Sequence, residues 1–405
     1  MVLRTPAHGG MISSGRRLVR RARALLGEVR RGPQFCDLLQ APTAAATAGG
    51  APEQGAIAGR YLGRARLRPD FNFLLGEPSE LPAPGLNLAQ LLVRRQHLLR
   101  CPNVAARLVV DALLDPLPRP WCLPYATHLS ASLEPILPPE AQLQRLPSAA
   151  LADAARRAVA AGLTWRSSRE IADFDRFYDE FYVGPARALL GDSGATLPRA
   201  SMRRLFAARG TLLWVERAGQ AVSGVLVHTS AQAPDTLHAW RSGLRDLAAL
   251  GATTVPSLLA FHSLAIAAHA FGRHCRRVDF GLTRAQASHP MFRHKRDLGC
   301  QFAVASDCPR FHLWLPAAVR VQQLQVTPLW VPAGDALHLW LGWTGSLDAA
   351  GSHALEAELL QCQAPNMAAV QILVPPSAAP EPALAAVASR LQLACGRPVQ
   401  LRPAL

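Results

Sequence analysis

The stretch VDFGLTRAQASHPMFRHKRDLGCQF, residues 278–302, holds several side chains able to do chemistry within a short span. It opens as an apolar strand and breaks at Asp279-Phe280-Gly281. A carboxylate at a strand end can orient an attacking amine or take its proton. It can equally form a turn or cap a helix. Gly281 permits a tight backbone at the strand exit. Arg284 offers a guanidinium fork able to hold a phosphate through two parallel hydrogen bonds. Lys295 lies in the basic run Arg293-His294-Lys295-Arg296, in a chain whose cations are dominated by arginine. Gly299 follows, and the chain turns apolar again.

Further candidates lie upstream. Tyr178 and Tyr182 are four residues apart and share a helical face, where they line a pocket with hydroxyls or join the core. Gly251, Thr253 and Thr254 precede a long apolar helix, where backbone N–H groups and hydroxyls could receive a phosphate. His262 and His269 fall on one face of that helix with no third ligand in sight. Buried, hydrogen-bonded histidines are expected there, and no metal site. Gly191-Asp192-Ser193-Gly194 has the look of a protease nucleophile segment. The chain lacks the histidine context and the many-stranded β pattern that would assemble a triad, so a loop is expected.

The elements that must position these groups follow from pattern. Ser148 caps a helix running to Ala161, and Gly162 closes it. LTWRSS is a short strand. IADFDRFYDEFYVGPARALLG is a helix with Phe174, Phe177, Tyr178, Phe181 and Tyr182 on one broad face. SMRRLFAARG is a helix ending at Gly210. TLLWVERAGQAVSGVLVHTS is a hairpin turning at Ala218-Gly219. DTLHAWRSG is a third strand and CRRVDFG a fourth, separated by a helix with Pro256 in its first turn. Upstream, LNLAQLLVRRQHLLRC and NVAARLVVDALLDPLP have helical spacing, and the proline-rich stretch 116–139 should hold short strands and loops. From about residue 316 the order is β-α-β-α-β, a small α/β lobe.

The chain has 405 residues, enough for two or three domains and a sizeable core. Hydrophobic residues make up 50% and charged residues 18%, a globular rather than a disordered composition. A formal charge of +15 favours anionic partners, while no nucleic-acid-binding motif accompanies it. The eight cysteines form no C-x-x-C and no zinc-ligand spacing, so they are expected as buried hydrophobes in a reducing compartment. No apolar run reaches 18 residues, so no transmembrane helix is expected, and the basic start lacks the apolar region of a secretory signal. The expected location is cytoplasmic. The arginines of residues 16–31 either touch anionic membrane or RNA, or are a solvated terminus.

In their order, ARRAVAAGLTWR, DFDRFYDEFY, LLWVERAGQAVSGVLV, VDFGLTR and FRHKRDLGC resemble the GNAT acyltransferase superfamily, and within it the Fem-type, FemAB-like branch. The resemblance spans about 170 residues. It implies an α+β fold, with a mixed central sheet flanked by helices and splayed strands that open a cleft. The domains expected are a basic leader and Ala/Gly-rich linker (1–58), an N-terminal lobe that is a partial or diverged half of the same fold (59–144), the transferase core (145–315) and the C-terminal lobe (316–405). The resemblance implies transfer of an acyl or aminoacyl group to an amine or hydroxyl, the acceptor being a small molecule or a cell-envelope or polysaccharide precursor. The co-substrate is acyl-CoA, favoured, or aminoacyl-tRNA, and no tightly bound cofactor is implied. Lys295 would face the cleft and hold a phosphate or the acyl oxygen. Asp279 or Tyr182 would receive the proton. Trp240 and Arg241 fall where family members contact the acceptor, and Tyr178 and Arg284 complete the substrate set. The usual acyl-CoA signature before the long helix is absent, leaving Gly251, Thr253 and Thr254 as the matching donor site. The alternative reading is a non-catalytic binding or scaffold protein on a degenerate GNAT core; a third is an RNA-binding protein acting through its N-terminal arginines.

Overall fold

The computed structural model describes residues 35–40, 59–64, 107–111, 122–184, 197–245, 247–305, 308, 310–315, 317–376 and 381–404. The expected basic leader, linker, 86–101 helix and Gly191–Gly194 loop lie outside them. In chain order the first strands are β1 (Phe35–Gln40), β2 (Gly59–Arg64), β3 (Arg107–Asp111), β4 (Cys122–Ala126), β5 (His128–Leu133), β6 (Leu163–Ser168), β7 (Gly210–Arg217) and β8 (Gln220–Ser230). Then come β9 (Ala233–Leu244), β10 (Arg277–Arg284), β11 (Gln301–Val304), β12 (Arg310–Trp314), β13 (Leu329–Ala333), β14 (Ala336–Gly342), β15 (Met367–Val374) and β16 (Val399–Pro403).

Two compact units form. One comprises residues 129–305 and 361–367 and is built on a seven-stranded mixed sheet in the order β11-β5-β10-β9-β8-β7-β6. Its antiparallel part begins with the expected hairpin. Ala218 and Gly219 take positive φ of 49° and 76°, the primed-turn geometry that matches strand twist, and β7 pairs with β8. β9 pairs antiparallel with β8, then parallel with β10. The β11 edge is closed by one side chain: the Phe302 N–H donates to Asn366 Oδ1 at 2.9 Å, and Asn366 Nδ2 donates back to the Phe302 carbonyl. Asn366 thus does the work of a neighbouring strand.

One face of this sheet carries the aromatic cluster: Phe174, Phe177, Phe181, Met202, Phe206, Leu212, Trp214 and Leu226 are all buried. The expected single helix is instead an α-helix, Ile171–Arg176, running into a π-helical segment, Phe177–Val183. Glycine makes room for that segment. Gly224 and Gly243 are register partners on β8 and β9. A Cβ on Gly243 would lie 2.5 Å from the Phe181 carbonyl oxygen, and one on Gly224 would lie 2.9 Å from Phe177 Cδ2. Two bare backbones side by side make a notch, and the wider π turn sits in it.

Helices cover the opposite face. Ala149–Ala160 is capped by Ser148, whose Oγ accepts the Leu151 N–H at 3.2 Å, and Gly162 follows at φ 76°. Its Ala154 and Ala155 pack on Ala260 of the long helix Leu247–Gly272, small residues that let two helix backbones approach. That long helix starts earlier than expected. LAALGATTV has good helix formers and continues the helical spacing, so Pro256 lies inside the helix rather than in its first turn.

In the other unit, β3 corrects an expectation. RLVVD was read within a helix, but it pairs with β2 on one side and β12 on the other. A short apolar run with two adjacent valines fits a central strand as well as a helix, and pairing on both edges decides it. The five-stranded sheet runs β1-β2-β3-β12-β4. A four-stranded sheet runs β13-β14-β15-β16, with helices Ala349–Cys362 and Glu381–Cys395 in the expected alternation. The helix Ala317–Val326 and β13 come before β14, the first strand of the expected alternation.

Candidate active site

The parallel pairing of β9 and β10 lasts three rungs: Arg277 with Thr236, Val278 with Leu237, Asp279 with His238. Beyond the last rung both strands continue, β9 to Leu244 and β10 to Arg284, without pairing with each other. A wedge therefore opens at Asp279 and His238. The device that opens it is local. Gly281 takes φ +71°, and its N–H donates to Asp279 Oδ1 at 2.8 Å, a side-chain turn that competes with the ladder.

The second carboxylate oxygen of Asp279 accepts from His238 Nδ1 at 3.0 Å. With the carboxylate oxygen as acceptor, the shared proton is on Nδ1, and the tautomer this selects carries its lone pair on Nε2. Both side chains are partly exposed, 27% for His238 and 32% for Asp279, which a site needs. His228, the register partner of His238 on β8, stacks on it with ring centroids 5.0 Å apart, and Trp240 meets His228 edge-on at 5.9 Å. Burial, then the neighbouring His238, lowers the proton affinity of His228, so it stays a neutral wall. The β8–β9 register shifts between Leu226 and Val227, so Trp240 is the extra residue of a β-bulge, which re-aims it toward the histidines. Trp240 also packs against the aromatic cluster, and Phe206, Gly210, Val227 and His228 join it around a narrow apolar crevice.

The sequence candidates separate here. Asp279 and Trp240 come together around two histidines that the sequence reading did not single out. Arg241 folds along its own strand, its guanidinium donating to the Trp240 carbonyl at 2.8 Å and lying 5.8 Å from the indole. Arg284 ends β10 and acts on His289, whose proton affinity is lowered first by burial and then by Arg284. Tyr178 and Tyr182 face elsewhere: the Tyr178 hydroxyl donates to the Leu197 carbonyl at 2.9 Å, and the Tyr182 hydroxyl accepts the Leu197 N–H at 3.1 Å. Both pin the backbone at Leu197, just before the helix Arg199–Arg209. Gly251, Thr253 and Thr254 lie inside the long helix rather than before it, past the first turn where N–H groups are unpaired; their side chains are outside the described residues.

Lys295 is not at the surface of the cleft. It is 4% exposed on the helix Pro290–Asp297, and Nζ donates to the carbonyls of Gly281 (3.1 Å) and Leu282 (2.8 Å). Burial lowers its pKa to about 8, with Asp279 acting in the opposite direction. His262 is buried and hydrogen-bonded, as expected, whereas His269 is half-buried and its Nε2 has no hydrogen-bond partner among the described residues. His262 Nε2 pairs with Ser223 Oγ at 2.5 Å, and His269 lies edge-on to Trp165 at 6.1 Å. No group of three metal-binding side chains occurs among the described residues, and no described helix is long and apolar enough to cross a membrane.

A signal for the missed pair existed: VLVHTS and TLHAW place one histidine on each of two expected neighbouring strands. Their juxtaposition depends on register shifts at Leu226/Val227 and Thr229/Ser230, which pattern alone does not give.

No protein-family model matches this chain, and no curated protein matches it. Among solved structures, FemX is similar over 71% of this chain and 90% of its own, at 10% identity and a TM-score of 0.36. L-PGS from Bacillus licheniformis is similar over 67% and 80%, at 10% identity and a TM-score of 0.32. A tandem GNAT protein from the clavulanic acid biosynthesis pathway is similar over 65% and 80%, at 12% identity and a TM-score of 0.30. At such scores the chemistry of the site rests on its own geometry.

Proposed function

We propose that this chain is a GNAT/Fem-type transferase of the cytoplasm, moving an acyl or aminoacyl group from an activated donor to an amine or hydroxyl. The observation that carries the reading is the His238 Nδ1–Asp279 Oδ2 hydrogen bond on the last rung before β9 and β10 part. It puts an oriented proton acceptor at the mouth of a wedge whose backbone groups have no partner across the gap. The acceptor group loses its proton to His238 Nε2 as it attacks the acyl carbon. The new C–N or C–O bond forms, the bond from the acyl carbon to the donor's sulfur or ribose oxygen breaks, and the leaving group takes the proton back from Nε2. Backbone N–H groups of β9 beyond the rung face the developing oxyanion. Asp279 does not take the proton; it holds the tautomer and balances the imidazolium. Trp240 and His228 form the wall against which the acceptor lies, and Arg284 is the side chain for a donor phosphate.

Acyl-CoA is the first donor to test, aminoacyl-tRNA the second, and a cell-envelope or polysaccharide precursor is the acceptor class. Calorimetry with acetyl-CoA and longer acyl-CoAs on the wild type and Arg284→Ala tests the donor. Saturable binding that weakens in the variant supports acyl-CoA. Heat from aminoacyl-tRNA alone moves the donor there, and silence with both overturns the reading.

A further inference from the structure

Lys295 is the only lysine in the 405 residues, amid 42 arginines. The one place this chain keeps an ammonium is a buried one, directed at two carbonyls of β10 immediately beyond the last β9–β10 rung. The same short segment is gripped from the other side, because the Gly281 N–H is held by Asp279 Oδ1. The two ends of one residue, Gly281, are thus fixed by opposite charges, and the free oxygen of that carboxylate holds His238. Each link is a direct hydrogen bond: Lys295 to Gly281, Gly281 to Asp279, Asp279 to His238.

We infer that Lys295 is a positioning residue that sets the departure of β10 from β9 and, through Gly281 and Asp279, the place of the His238 imidazole. Two of its three N–H bonds end on backbone carbonyls, and it is nearly sealed from solvent, so it is poorly placed to grip a substrate phosphate. A compact ammonium suits two successive carbonyls at 4% exposure, whereas the larger planar guanidinium needs more room. The helix that carries Lys295 is anchored independently. Phe292 stacks on Phe302 at 4.5 Å, and His294 Nε2 pairs with Ser263 Oγ of the long helix at 3.2 Å. The titratable groups facing Lys295 are Asp279 on β10, Cys300 before β11, and His289 and His294 around its own helix. Cys300 is pushed up to about 12 by burial and stays a neutral thiol. The inference shares its site with the proposed transfer reaction, but its test needs no donor or acceptor.

The uniqueness of Lys295 makes the test direct. In full-length protein labelled with 15N-lysine and 15N-histidine, wild type should show one slowly exchanging Nζ signal and a hydrogen-bonded His238 Nδ1–H, assigned by its loss in His238→Gln. Lys295→Met keeps the side-chain length and removes the charge. The expected result is loss of the protected His238 Nδ1–H signal, as in Asp279→Asn, although residue 295 does not touch the imidazole; Lys295→Arg should not restore it. An unchanged His238 signal in folded Lys295→Met overturns the inference. Should Lys295→Met not fold, the chain of hydrogen bonds is read in reverse: Asp279→Asn should loosen the grip on Gly281 and speed exchange of the one Nζ signal, and an Nζ signal unchanged in folded Asp279→Asn overturns the inference. Neither overturning result bears on whether acyl transfer occurs.

Discussion

Two histidines make bridging hydrogen bonds to strands of the central sheet, and their surroundings give them opposite characters. His262, on the long helix, reaches Ser223 of β8 and is sealed at 4% exposure. Burial drives its pKa down to about 4, with a smaller push from His294, so it is a neutral structural link. His238, on β9, reaches a carboxylate instead of a hydroxyl and stays partly open. Residue type alone does not distinguish them. The partner and the access do: a neutral hydroxyl in a closed layer gives a strut, whereas a carboxylate at a strand divergence gives an oriented base.

The largest expected effect breaks the open site. His238→Gln should lower transfer by about 10²–10⁴-fold while the circular-dichroism spectrum and melting temperature hold, and Asp279→Asn should follow it. Equal loss of transfer in His262→Gln, with its fold intact, would erase the distinction between the two histidines.

The closed site should show itself in acid stability. The folded state keeps His262 neutral down to about 4, while the unfolded chain protonates it below 6.5. The stability this gives is fully present above pH 6.5, declines as pH falls, and is gone below pH 4, roughly 3 kcal/mol in all. Urea melts at pH 7 and pH 4.5 should differ less in His262→Gln than in wild type.

A steric effect comes next. Gly243→Ala should destabilise by about 1–3 kcal/mol, because its Cβ would meet the Phe181 carbonyl in the notch under the π segment. Thermal melts measure it. Ala in place of Gly219, whose Cβ would meet nothing within 4 Å, should cost less than Gly243→Ala, only the strain of its φ of 76°.

The smallest effect is at the surface. Arg166 bridges Asp173 at 3.2 Å and Glu216 at 2.7 Å, but it is well exposed, so Arg166→Ala should change stability by less than about 1 kcal/mol, and less again at high salt.

The sequence made the local elements legible where one residue or one period decides them. Ser148 and Gly162 bracket a helix, Ala218-Gly219 turns a hairpin, and alternating runs lay out β14 to β16. It failed where distant pairing decides. Valines at 109 and 110 fit a helix until two neighbouring strands claim them. Nothing in FYDEFYV marks a π turn, which depends on two glycines some 40 to 60 residues further along. Asp279 and Trp240 were visible as candidates, but His228 and His238 meet only through bulges. Lys295 was visible as a special lysine, yet its inward direction follows from the helix that carries it.

The most direct test of the site as a base-assisted transferase is single-turnover release of free CoA from acyl-CoA in the presence of a panel of primary amines. Wild type and His238→Gln would be compared at equal donor occupancy set by calorimetry. The account predicts that both bind donor and that release is fast in wild type and reduced by orders of magnitude in the variant. Release at the wild-type rate from His238→Gln would contradict it.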